Sequence, residues 1–75
     1  MHDPKSHAAE ETYLSQLEQQ QTQVVIYLVN GFQIRGTIRQ FDFNTLLVQD
    51  ERRQQLVYKH AISTIAPVKS EGFTA

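Results

Sequence analysis

Residues 54–67 read QQLVYKHAISTIAP, and within them Tyr58, Lys59 and His60 set a phenol, an ammonium and an imidazole side by side. An ammonium and an imidazole at a tight turn between two strands can hold a phosphate and the hydrogen-bonding edge of a base. With an aromatic surface nearby, that is the chemistry that retains single-stranded nucleic acid. An arbitrary Lys-His pair is better read as a surface lysine beside a histidine that caps a turn, so the pair alone decides nothing. Other chemistry is scarce. Ser63 has no identifiable triad partners, and neither a phosphate loop nor a paired-carboxylate arrangement appears. With no cysteine in the chain, thiolate metal sites and disulfides are excluded. His2, Asp3 and His7 could hold a stray metal only on a loose leader. No catalysis, cofactor or metal site is expected.

The elements that must position these residues belong to a small domain. A chain of 75 residues buries only about 60% of its unfolded surface, so its own core is marginal and oligomerisation is the common remedy. No run approaches the roughly 20 apolar residues of a membrane span, and residues 1–13 lack the apolar segment of a signal peptide. A cytoplasmic protein without membrane contact is expected. The net charge of −1 hides an asymmetry. Lys5 stands against Asp3, Glu10, Glu11 and Glu18 in residues 1–22. Residues 23–69 carry Arg35, Arg39, Arg52, Arg53, Lys59 and Lys69 against Asp42, Asp50 and Glu51. An acidic leader can thus mask a mildly basic body.

Residues 1–7 read as a disordered tail, with Asp3-Pro4 as a lead-in to a helix over about residues 8–20. Glu10 and Glu11 suit a helix N-terminus, and Tyr13, Leu14 and Leu17 recur at helical spacing. From Gln23 the period changes to two, in a run rich in β-branched and aromatic residues that is apolar on both faces. Asn30-Gly31 predicts a type I′ hairpin turn. In the return strand, residues 32–41, Phe32, Ile34, Gly36 and Ile38 share one face, and Gly36 marks a bend or a close backbone approach. Asp42, Phe43 and Asn44 form a break, with Asp42 assigned to orienting neighbouring backbone. Three further strands follow over residues 45–49, 54–59 and 62–66, and residues 68–75 form a flexible tail. The domain proper is residues 8–67. One helix and five short strands fit a mainly β, strongly bent antiparallel sheet closing into an open barrel, whose exposed edges invite pairing between subunits.

YLVNGF at residues 27–32, the bent strand with Gly36, the Phe41-Asp42 pair and above all YKHAIST at residues 58–64 resemble the Hfq family of bacterial Sm-like RNA chaperones. The resemblance covers residues 10–67. It implies an Sm-like fold, a homohexameric ring, RNA bound on two opposite faces, and a role in post-transcriptional regulation. Its partners are then small regulatory RNAs and messenger RNAs, with RNA-degradation or translation machinery as further partners.

On one face, the resemblance assigns U-rich RNA to Lys59 and His60, joined by Phe43, Asn44 and Glu10. Two of these depart from the family pattern. A polar residue followed by an aromatic is usual after the Asp, whereas this chain has Phe43 then Asn44; one step along an extended chain turns a side chain to the other face. Glu10 stands where Gln is common, and a carboxylate cannot donate to a base carbonyl. A weaker or altered uridine site is expected. The second face, for A-rich RNA, is assigned Tyr27, Asn30, Gly31, Phe32, Gln33, Ile34, Gln55, Ser63 and Thr64. Tyr27 and Phe32 would supply flat surfaces, Gln33 and Gln55 amides for an adenine edge. The family's third surface, an arginine patch on the helix, is replaced by Glu18, Gln19, Gln20 and Gln21, which predicts weak annealing activity. Arg52 and Arg53 read as a solvated turn. The competing reading is an SH3-like protein-interaction module without RNA function.

Overall fold

The structure, a computed structural model, describes residues 4–68, with side chains from residue 9. His2, Asp3, the side chain of His7 and the expected C-terminal tail beyond Val68 lie outside the described residues. The chain forms helix α1 (Pro4–Gln20) and strands β1 (Gln23–Leu28), β2 (Gln33–Phe41), β3 (Thr45–Gln49), β4 (Gln54–Tyr58) and β5 (Ile62–Pro67). A 3-10 turn, Lys59–Ala61, joins the last two strands. One antiparallel sheet results, in the order β4-β3-β2-β1-β5, with β4 and β5 at its edges.

The helix starts at Pro4, four residues before the expected start at about residue 8, because a proline's fixed φ and missing N–H suit the first helical position. Its first turn therefore contains no acid, and Glu10 and Glu11 lie in the helix interior instead of at its N-terminus. Leu14 and Leu17, 2% and 5% exposed, enter the same core as Val24, Ile26, Ile38, Leu46, Val48 and Val57. Burial of each leucine is worth roughly 1.5–3 kcal/mol. The helix ends without glycine. Gln21 takes the left-handed conformation at φ 54°, while its N–H bonds to the Glu18 carbonyl and that of Thr22 to the Leu17 carbonyl. This pattern satisfies the last carbonyls of a helix and usually recruits Gly. The Gln21 side chain accepts a 3.0 Å bond from the Arg39 guanidinium, which ties the helix end to β2.

The hairpin between β1 and β2 differs from the expected type I′ turn. Val29 and Asn30 keep negative φ, and only Gly31, at φ +94°, is left-handed. The N–H of Gly31 bonds to the Leu28 carbonyl, and that of Leu28 to the Phe32 carbonyl. This is the three-residue loop in which a turn of ordinary φ is followed by one left-handed residue. The Asn30 side chain accepts the Phe32 N–H at 3.0 Å, which stabilises the turn without positive φ at Asn30.

Two irregularities in register set which side chains face inward. In β2 against β3, Ile38 pairs with Val48 but Gln40 with Leu47, so Arg39 is bulged. The alternation that buries Gly36 and Ile38 is thereby shifted, and Phe41 rather than Gln40 packs against the core. In β5 against β1, Tyr27 pairs with Thr64 and Leu28 with Ile62, leaving Ser63 as the extra residue. Ile62 and Ile65 both pack on the core as a result, and Ser63 and Thr64 are exposed.

Gly36 is the point of closest approach. A Cβ there would lie 2.5 Å from the Gln49 carbonyl oxygen and 3.0 Å from Val48 Cγ1. The obstacle is backbone, so it cannot rotate away. We expect Gly36→Ala to destabilise the fold by about 1–3 kcal/mol, measured by denaturant unfolding. An unchanged midpoint would show that β2 and β3 can separate without cost.

Candidate functional site

The two loops that meet at one end of the barrel are built by opposite means. Asp42, Phe43 and Asn44 turn the chain between β2 and β3 around a single carboxylate oxygen. Asp42 Oδ1 accepts the N–H groups of Asn44 and Thr45, each at 2.8 Å, and the Thr45 hydroxyl at 2.9 Å. The Asn44 N–H, then the Thr45 hydroxyl and N–H, hold the Asp42 carboxyl below its ordinary range, with a lesser contribution from Lys59. Asp42 thus orients neighbouring backbone, as the sequence suggested. The turn between β4 and β5 is made by backbone: the Ile62 N–H bonds to the Lys59 carbonyl, and Val29 N–H to that of Ala61. The Lys59 N–H donates to the Asn44 carbonyl at 2.8 Å. That bond locks the two loops together.

Around this junction the Lys59 ammonium has two side-chain neighbours. Its Nζ lies 2.7 Å from Glu10 Oε2, with the two side chains 18% and 46% exposed. The same ammonium sits 5.7 Å from the centre of the Phe41 ring, within cation–π range. His60 is exposed, its ring centre 5.9 Å from that of Tyr58 at 31° between planes. A cleft of about 270 Å³ opens beside Lys59, lined among others by Glu10, Tyr13, Ile62, Ser63 and Thr64. Helix α1 is seated along this cleft by Leu14 and by a 3.4 Å bond from the Tyr13 hydroxyl to the Ile65 carbonyl.

Of the first expected group, Lys59, Glu10 and the Asn44 backbone are in direct contact, and His60 extends from the same turn. Phe43 stands outward from the adjacent loop at 67% exposure. Phe41 and Tyr13 were missed as parts of this surroundings. Phe41 reaches the lysine only because the bulge at Arg39 reverses the alternation, and a bulge leaves no clear signal in sequence.

The second expected group divides. Tyr27 and Gln33 are paired across β1 and β2, and Thr64 pairs with Tyr27 from the other side. Phe32 is 71% and Tyr27 38% exposed. Asn30 and Gly31 form the hairpin loop, and Ile34 is half-buried. Gln55 does not join them: it lies on β4, paired with Val48, with β3 and β2 intervening before β1. Ser63 and Thr64 line the cleft beside Lys59 as well as flanking Tyr27. The Glu18 to Gln21 segment closes the helix. Arg52 and Arg53 are exposed in a turn held by Asp50 Oδ1, which accepts both their N–H groups at 3.0 and 3.1 Å. Those two bonds lower the Asp50 pKa.

Comparison with known proteins decides what this arrangement belongs to. Residues 10–71 match the family described as Hfq protein. The chain belongs to that family. It is 47% identical over 66 residues to the RNA-binding protein Hfq of Bacillus licheniformis, across 88% of this chain and 90% of the relative. To the proteins of that name from Bacillus subtilis strain 168 and Shouchella clausii it is 48% and 51% identical over 61 residues, 81% of this chain and 84% and 79% of theirs. Among solved structures, a crystal structure of the pleiotropic translational regulator Hfq superposes with a TM-score of 0.75 at 34% identity, covering 77% of this chain and 97% of that one. An Hfq protein from Anabaena sp. gives a TM-score of 0.75 at 30% identity, covering 80% and 97%. The Hfq fold is therefore the fold of this chain, an N-terminal helix followed by a bent five-stranded antiparallel sheet.

The Asp42 turn carries a pH dependence. A carboxyl whose pKa is lowered on folding stabilises the folded form above its unfolded pKa, and loses that effect as pH falls through the folded value. Acid should therefore loosen the β2–β3 turn. Asp42→Ala should accelerate amide hydrogen exchange at Asn44 and Thr45 near neutral pH while leaving Ile26 and Val48 protected. Unchanged exchange at Asn44 would mean that the turn holds without the carboxylate.

Proposed function

We propose that this Hfq-family chain is an RNA-binding protein that acts as an RNA chaperone in post-transcriptional regulation. Its partners are small regulatory RNAs and messenger RNAs in the cytoplasm. The observation that carries the reading is its identity, close to one half over most of their length, with relatives that are RNA-binding proteins. The SH3-like interaction module finds no support in these comparisons. Contacts with RNA-degradation or translation machinery rest on the family resemblance alone.

A ring of identical subunits, six by that resemblance, suits the edges of the sheet. Strands β4 and β5 are each paired on one side only, and β4 exposes Leu56 at 55% and Tyr58 at 52%. An exposed edge with large apolar side chains favours strand addition, and head-to-tail pairing of two different edges generates a ring where the rotation between copies closes. Such pairing would set Gln55 of one copy beside Thr64 and Tyr27 of the next, uniting the group that sheet order divides. It would also repeat Lys59 and His60 once per subunit around a central opening. Each weak cationic point then adds to its neighbours along one RNA strand.

On this reading U-rich RNA lies over Lys59 and His60 with Phe43 or Asn44 beside the base. A-rich RNA lies over Tyr27, Phe32, Gln33 and Gln55, where Asn30, Gly31, Ile34, Ser63 and Thr64 complete the surface. With glutamate and glutamines closing the helix, few cations are available for annealing two strands, and that activity should be weak.

Lys59→Ala should reduce affinity for oligo(U) about tenfold or more and leave oligo(A) nearly unchanged, and Tyr27→Ala should do the reverse; equal losses on both ligands would refute separate faces. Phe43 tests the aromatic side. Base stacking is worth about 1–3 kcal/mol per base, so Phe43→Ala should weaken oligo(U) accordingly in a titration followed by fluorescence anisotropy. No change would exclude Phe43 from the site.

A further inference from the structure

We propose that Glu10 is a built-in competitor for Lys59: its carboxylate occupies the ammonium in the free protein and must leave before that face accepts a U-rich strand. The inference rests on the uridine reading above and adds to it a residue that sets affinity and salt response.

Three observations carry it. First, the Glu10–Lys59 contact, at 2.7 Å, is the one ion pair among the described residues. The neighbouring acid, Asp42, accepts its three hydrogen bonds on Oδ1 from its own loop. Second, the two partners differ in freedom. Lys59 is mostly covered, with its N–H bonded to the Asn44 carbonyl and its ammonium near Phe41. Glu10 is 46% exposed, so its carboxylate can swing outward. Third, the helix fixes where Glu10 stands. Residues four and seven positions apart share a helix face, and Leu14 and Leu17 hold that face on the core. Glu10 is thus carried over the 3-10 turn by the docking of α1, not by a chance surface encounter.

The consequence is electrostatic. A free lysine that meets a phosphate releases condensed counterions and steepens the salt dependence by about 0.7 per contact on a single strand. A lysine already neutralised by a carboxylate exchanges one anion for another, and the freed Glu10 recruits a cation from solution. Net counterion release is then small. An exposed pair is worth about 0.2–1 kcal/mol, so the competition costs roughly 1.4- to 5-fold in affinity for every subunit engaged. A strand spanning several subunits meets that cost at each one.

The test compares the full chain with Glu10→Ala, Glu10→Gln, Lys59→Ala and the Glu10→Ala/Lys59→Ala double variant. Each is titrated with a short oligo(U) and with oligo(A) over a series of monovalent salt concentrations. Helix content by circular dichroism and unchanged oligo(A) affinity verify the fold. Competition predicts that Glu10→Ala binds oligo(U) roughly 1.4- to 5-fold more tightly per engaged subunit. Its logarithmic salt slope should be steeper by about 0.7 per subunit, and Lys59→Ala should cancel both gains. Weaker binding by Glu10→Ala, or wild-type affinity and slope, overturns the proposal. So does a gain in Glu10→Gln that Glu10→Ala lacks, since that would reflect an added amide donor rather than a removed charge. If neither the full chain nor any Glu10 variant binds oligo(U) while oligo(A) still binds, the uridine assignment itself fails.

Discussion

At Gly36 the backbone of β2 runs so close to the Gln49 carbonyl that no side chain fits between them. Much of the architecture follows from that approach. It brings β3 against the bent middle of β2, and the bulge at Arg39 just beyond re-phases the strand so that Phe41 turns inward. A flat sheet of this length could not enclose a core. Curved, it surrounds a cluster of eight buried side chains, two of them from the helix.

A core so small leaves much for other contacts to do. The sheet has two incomplete edges, and one of them displays Leu56 and Tyr58 to solvent. In an isolated subunit these are liabilities, since an unpaired strand with apolar side chains attracts other chains. In the proposed assembly of identical copies they would become the means of closure. Under the proposed assembly, the need for more burial and the division of Tyr27 from Gln55 would have the same remedy, the pairing of β4 with β5 of another copy.

The junction at Lys59 joins the proposed uridine site to this framework. The Asp42 carboxylate organises one loop through three hydrogen bonds, the 3-10 turn organises the other, and one backbone hydrogen bond fastens them. The lysine is therefore held at its base while its ammonium answers to Glu10 and Phe41.

Residue types along the chain were enough to determine the helix, the five strands, the need for glycine at position 36 and the motif around Lys59 and His60. These are properties of local periodicity and of residue chemistry, and they survive whatever the chain packs against. Helix ends and turns were less legible. Gln21 closes the helix in a conformation usually left to glycine, and Asn30-Gly31 makes a three-residue loop where the dipeptide suggested two positive φ angles. Register lay beyond the sequence altogether. The extra residues at Arg39 and Ser63 exist because neighbouring strands must match lengths around a curve, and that constraint is met only when all the strands are in place. The partnership of Glu10 with Lys59, 49 positions apart, is of the same kind. Only the docking of the helix on the core brings that carboxylate to the turn.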